Sequence, residues 1–158
     1  MTIRRPPLAL LLALLPACGP PPTETFARRL ITAVIDGDKV AYALCHVRKG
    51  DVTADGSATL VVEPGGRPPD DEWLADVEEA FLTDRAKIDV LRKQHGAVEF
   101  GGLLKTADEE QTPARRIMSI HAIVQCKDIR YVAELGRSVE TSRGRVLQGP
   151  PGLSIRKE

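Results

Sequence analysis

Aromatic side chains are scarce, with one Trp, two Tyr and three Phe in 158 residues. A core cannot be built around stacked rings, so aliphatic side chains must fill it. Excess charge is missing too: 22 basic side chains balance 22 acidic ones, which leaves no electrostatic footprint for nucleic acid. The apolar run from Leu8 to Leu15 falls far short of the roughly 20 residues a membrane-spanning helix needs. There is no internal repeat, no Gly-x-Ser-x-Gly elbow, no phosphate-binding glycine loop and no His-Glu-x-x-His stretch. The nucleophile-elbow hydrolases, P-loop enzymes and zinc proteases announced by those motifs are set aside. Gly149-Pro150-Pro151-Gly152 lacks a following Lys-Ser or Lys-Thr and reads as a turn.

What is present begins at the N-terminus. Arg4 and Arg5 precede the short apolar run, as in a signal peptide. Cleavage before Cys18 puts Ala17 at position −1 but bulky Leu15 at −3, the wrong residue for ordinary signal peptidase. Leu15-Pro16-Ala17-Cys18 instead resembles the lipobox of bacterial lipoproteins, with Pro16 standing where Ala, Ser or Thr is commoner. That resemblance implies that residues 1–17 are removed and that Cys18 becomes the lipidated first residue. Two or three acyl chains hold a protein on a membrane without help from a basic patch, each buried methylene contributing about 0.8 kcal/mol. Gly19 after the cysteine, rather than Asp, favours the outer membrane by the same family's sorting rule. Residues 18–25, with Pro20, Pro21 and Pro22, read as a stiff tether, and 26–158 as a single domain. Removal of Arg4 and Arg5 leaves two more acids than bases.

With Cys18 committed to lipid, Cys45 and Cys126 form an even pair in an exported chain. A disulfide between them is the preferred expectation. Two buried thiols, or a metal pair with His46, are the alternatives, the last disfavoured because no second close-spaced ligand pair exists. His46, His95 and His121 lack zinc-motif spacing, so neither a metal nor a cofactor is expected.

Phe26, Leu30, Ala33 and Val34 recur at helical spacing after Thr25, a potential N-cap. Asp36-Gly37-Asp38 stops that helix and starts another, whose apolar face is Val40, Ala43, Leu44 and Val47. Ala58 to Val62 reads as a short strand. Asp70 or Asp71 caps a long helix carrying Trp73, Val77, Phe81, Ile88 and Leu91, closed by Gly96, with Thr83-Asp84 as a potential break. Its late bases Arg85, Lys87, Arg92 and Lys93 read as a solvated surface that suits the macrodipole. From Ala97 the period drops to two. Met118, Ile120, Ala122, Val124 and Cys126 share one face, opposed by Ser119, His121 and Gln125. Lys127-Asp128 turns into a partner strand with Tyr131, Ala133 and Leu135, and a last pair follows around Val139 and Arg145 to Leu147. Glu109-Glu110 reads as a loop. The fold class is α+β, N-terminal helices packed on a curved antiparallel sheet formed mainly by the C-terminal third.

Phe26 to Cys45, two helices meeting at Asp36-Gly37-Asp38, and the helix–glycine–strand passage from Leu91 to Phe100 resemble the nuclear transport factor 2-like, or ketosteroid-isomerase-like, superfamily. The resemblance implies a bent sheet closing over the helices as a cone. No residue matches a catalytic motif of that superfamily. The preferred expectation is a non-enzymatic, membrane-tethered envelope domain that binds a small apolar molecule or a neighbouring protein. The alternatives are an isomerase or hydrolase with His121 as acid or base, helped by Tyr131 or a carboxylate, and a purely structural lipoprotein.

Overall fold

In the computed structural model, residues 22–112 and 115–158 are described. The expected signal peptide, Cys18 and the first half of the expected tether lie outside them, and the second half of that tether, from Pro22 on, is helix. The elements run α1 (Pro22–Asp36), α2 (Lys39–Leu44), α3 (Asp71–His95), β1 (Glu99–Gln111), β2 (Arg116–Cys126), β3 (Ile129–Thr141), β4 (Gly144–Leu147) and β5 (Ser154–Lys157). The strands form one antiparallel sheet in the order β1-β2-β3-β4, with β5 also pairing with β3. This is the α+β class read from the sequence.

α1 starts at Pro22 rather than after Thr25. Proline is well suited to a first helical turn, where its missing N–H has no intrahelical partner to lose, and Glu24 there pairs with Arg28 at 3.3 Å. Gly37 turns the corner at a φ of 77°, and the Asp38 carboxylate caps α2 by accepting from the Ala41 N–H at 2.9 Å. Asp70 caps α3 in the same way, accepting from the Trp73 N–H at 2.9 Å. Arg85 and Arg92, read as a solvated surface, reach across to the last carbonyls of α1: Arg85 donates to Val34 at 2.8 Å and Arg92 to Ile35 at 2.8 Å. A positive charge at a helix C-terminus satisfies carbonyls that have no helical partner and opposes the negative end of the dipole.

The inner face of β2 is the alternating set predicted, and Met118, Ile120, Ala122, Val124 and Cys126 are buried against the helices with Ala133 and Leu135 of β3. Two expectations fail. Ala58 to Val62 is no strand: the segment makes only isolated bridges, Val52 with Thr59 and Val62 with Arg67, although Leu60 and Val62 are buried. Glu109 and Glu110 lie within β1, where Arg137 of β3 donates to Glu109 at 2.7 Å. β1 is an edge with three register irregularities and a charged, exposed distal half, features that blunt pairing with another chain's edge.

Gly101 marks where β1 presses on β2. A Cβ placed there would lie 2.6 Å from Cγ2 of Ile123, a side chain only 3 % exposed. Gly101→Ala is expected to cost about 1–3 kcal/mol of unfolding free energy by overpacking. Urea unfolding checks this, with Ile123→Ala in the same chain expected to recover part of the loss. A double variant whose cost is the simple sum of the two singles would refute the clash.

Candidate functional site

The space between helices and sheet is where a cone would hold a ligand. It is filled by Phe26, Leu30, Ile31, Trp73, Phe81 and Ile88 against the inner face of β2. Trp73 also donates its indole N–H to the Val47 carbonyl at 3.1 Å.

His121 lies on the opposite face. It is paired across strands with Glu134, and its Nδ1 stands 3.9 Å from Glu134 Oε1. The same carboxylate oxygen is 3.2 Å from Arg156 of β5. Tyr131, paired with Val124, shares the inner face, so it does not meet His121. Its hydroxyl sits 2.9 Å from His95 Nε2 at the end of α3 instead. His46 is elsewhere again, buried beside Tyr42. The three histidines do not converge, and no group of metal-binding residues occurs among the described residues.

The expected disulfide is not formed: Cys45 and Cys126 are both free and buried. The sheet keeps them apart. The Cys45 carbonyl accepts from the Leu147 N–H, Leu147 pairs with Ser138, and Ser138 with Met118. From Met118, Cys126 is a further run along β2 of roughly 25 Å at ~3.3 Å per residue. A bridge needs Cα atoms within about 7 Å. Burial pushes both thiols up from their ordinary pKa, which suits inert core residues.

Charged groups that are buried here tie elements together. Arg143, in the β3–β4 turn, donates twice to Asp51 at 2.7 Å and also to the Leu44 and His46 carbonyls, each at 2.6 Å. Burial alone would raise the Asp51 carboxyl, but the Arg143 guanidinium and the Arg48 N–H outweigh it and hold it below the usual range. Asp84, wholly buried in the middle of α3, accepts from the Tyr42 hydroxyl at 2.9 Å, Lys87 at 2.8 Å and the Leu153 N–H at 2.9 Å.

An open concavity lies between α2 and the first turns of α3. It is a groove of about 310 Å³ lined by Val40, Ala43, Leu44, Leu74 and Val77, with Lys39 and Glu78 at its rim. The helical spacing of α2 predicts Val40 and Leu44 in the core. They face out, 69 % and 40 % exposed, because the six-residue helix buries Tyr42 in their place. The Tyr42 hydroxyl needs Asp84, and so short a helix cannot bury both faces. Leu74, 49 % exposed, completes an apolar strip unpartnered among the described residues. A second, wider cleft of about 540 Å³ adjoins it, sharing Arg48 and Leu74 and adding Lys49, Pro68, Pro69, Asp70 and Asp71.

Compared with known proteins, the chain matches no family model, no curated protein and no solved structure.

Proposed function

We propose that the chain is a lipid-anchored domain of a bacterial cell envelope that works by binding, with the α2–α3 groove as its binding surface. One observation carries the binding part. Val40, Leu44 and Leu74 are large apolar side chains held out in one concave strip, whereas the interior of the helix–sheet layer is packed with aliphatic and aromatic side chains. The anchor part rests on the lipobox-like Leu15-Pro16-Ala17-Cys18. The helix order, with the corner at Gly37 and α3 closed by Gly96, supports the cone-shaped superfamily reading of the domain.

Proton-transfer chemistry at His121 has Glu134 nearby in its favour. The 3.9 Å separation exceeds a hydrogen bond, and Glu134 is also engaged by Arg156, so binding is the better reading.

Intact mass of the membrane-extracted protein tests the anchor. The expected mass lacks residues 1–17 and carries diacylglycerol on Cys18. It is also unchanged by reductant, since Cys45 and Cys126 are free. A soluble product with an unmodified Cys18 would overturn the tethered reading.

A further inference from the structure

We infer that the α2–α3 groove docks on the lipid surface to which the chain is tethered, with Val40, Leu44 and Leu74 entering the headgroup region and Arg48 and Lys49 meeting anionic phosphates. This rests on the anchor at Cys18 and names the partner of the groove.

The described chain begins at Pro22, four positions after Cys18, and an extended chain covers at most about 3.6 Å per residue. The start of α1 therefore stands within roughly 14 Å of its lipid attachment. Pro22 itself lines a cleft with Arg143. Arg143 in turn donates to the Leu44 carbonyl at the end of α2. The start of α1 is thus linked through Arg143 to the end of α2, whose Leu44 lines the groove.

Apolar side chains with flanking cations on a helical surface have the chemistry of the interface, where apolar groups sink about 5–10 Å and bases meet phosphate. Two of the acids here have partners, and Asp71 stands exposed on the cleft without an ion pair among the described residues. Glu78 pairs with Lys39 at 2.9 Å, and Asp70 caps α3 while standing 3.5 Å from Arg67. Exposed Arg48 and Lys49 are left facing outward beside Leu74. Docking needs no strong intrinsic affinity, because a short tether holds the surface at high effective concentration against the bilayer.

The experiment uses the full chain, processed by its host, purified from membranes and reconstituted in vesicles of phosphatidylethanolamine and phosphatidylglycerol. Val40→Cys, Leu74→Cys and Val90→Cys each carry an environment-sensitive fluorophore. The buried Cys45 and Cys126 stay unlabelled in the folded state. Val90 is 51 % exposed and roughly 24 Å from Leu74 along α3, at ~1.5 Å per residue, so it reports the side away from the groove. The expected result is a several-fold loss of quenching by aqueous iodide at positions 40 and 74, with matching gain of quenching by brominated acyl chains, and neither change at position 90. Iodide quenching at 40 and 74 equal to that at 90 would overturn the docking. So would protection from iodide without quenching by lipid, which would mean that a second copy or another polypeptide covers the groove. Intact mass of the same preparations separates the two levels: lipid on Cys18 with exposed probes refutes the docking alone, whereas Cys18 without lipid refutes the anchor.

Discussion

Asp84→Ala is expected to cost about 4 kcal/mol of unfolding free energy. Asp84 is fully buried, yet both carboxylate oxygens are engaged by donors from three parts of the chain: the Tyr42 hydroxyl of α2, Lys87 one turn along α3, and the Leu153 N–H that leads into β5. Removing the carboxylate leaves the phenol and the backbone N–H buried without acceptors. Each orphan costs about 1–3 kcal/mol, and Lys87 loses a charged partner as well. Burial, with the neighbouring Asp84 charge, pushes the Tyr42 phenol far above its ordinary pKa, so it stays a donor throughout the usable pH range. Urea unfolding at neutral pH checks the cost. The double variant Tyr42→Phe, Asp84→Ala removes one orphan with its acceptor and is expected to lose less than the two singles summed, by about 1–2 kcal/mol. Asp84→Ala within 1 kcal/mol of wild type, or a strictly additive cycle, would show that this carboxylate is not a latch.

Asp84 also shows where sequence reading ends. Its carboxylate interrupts the apolar face of Trp73, Val77, Phe81 and Ile88, so Thr83-Asp84 looks like a helix break until its partners Tyr42 and Leu153 are known, and those lie 42 and 69 positions away. The α3 caps, the inner face of β2 and the turn at Lys127-Asp128 were legible because each depends on neighbours within a few residues. The inward turn of Tyr42 was not, since the pattern of α2 alone favours burying Val40 and Leu44. The candidate groove was hidden for the same reason: Val40, Ala43 and Leu44, which form its α2 wall, are residues that local periodicity assigns to the core. The lack of a bridge between Cys45 and Cys126 follows from sheet register, which an even cysteine count does not contain.

Stability is expected to fall by about 3 kcal/mol as pH drops from 6.5 to 4, through His46. His46 is 1 % exposed, lies 4.7 Å from the Tyr42 ring and 6.4 Å from the Trp73 ring, and places Nδ1 3.0 Å from the Tyr42 carbonyl. That geometry assigns the proton to Nδ1, while Nε2 has no partner among the described residues. A second proton would put an unpaired charge in the core. Burial, reinforced by the nearby Arg143 charge and only partly opposed by the Tyr42 carbonyl, lowers the imidazole from 6.5 to about 4. In the unfolded chain the ring protonates near 6.5, so between 6.5 and 4 the unfolded state binds more protons and gains on the folded state, at about 1.4 kcal/mol per pH unit. Below 4 both states are protonated, and this contribution stops changing. The Asp51 carboxylate, depressed in the folded state, contributes stability above its unfolded pKa and loses it only as pH falls through its still lower folded value, so the two groups act in successive windows. His46→Phe separates them. It replaces one flat ring by another beside Tyr42 and Trp73, and the Tyr42 carbonyl keeps the Cys45 N–H at 3.0 Å, so no acceptor is orphaned. Urea unfolding across this pH range should show the steep upper window flattened in His46→Phe and the lower one retained. An unaltered slope in the variant, or a flat wild-type profile between pH 6.5 and 4, would mean that His46 does not carry the acid sensitivity of the fold.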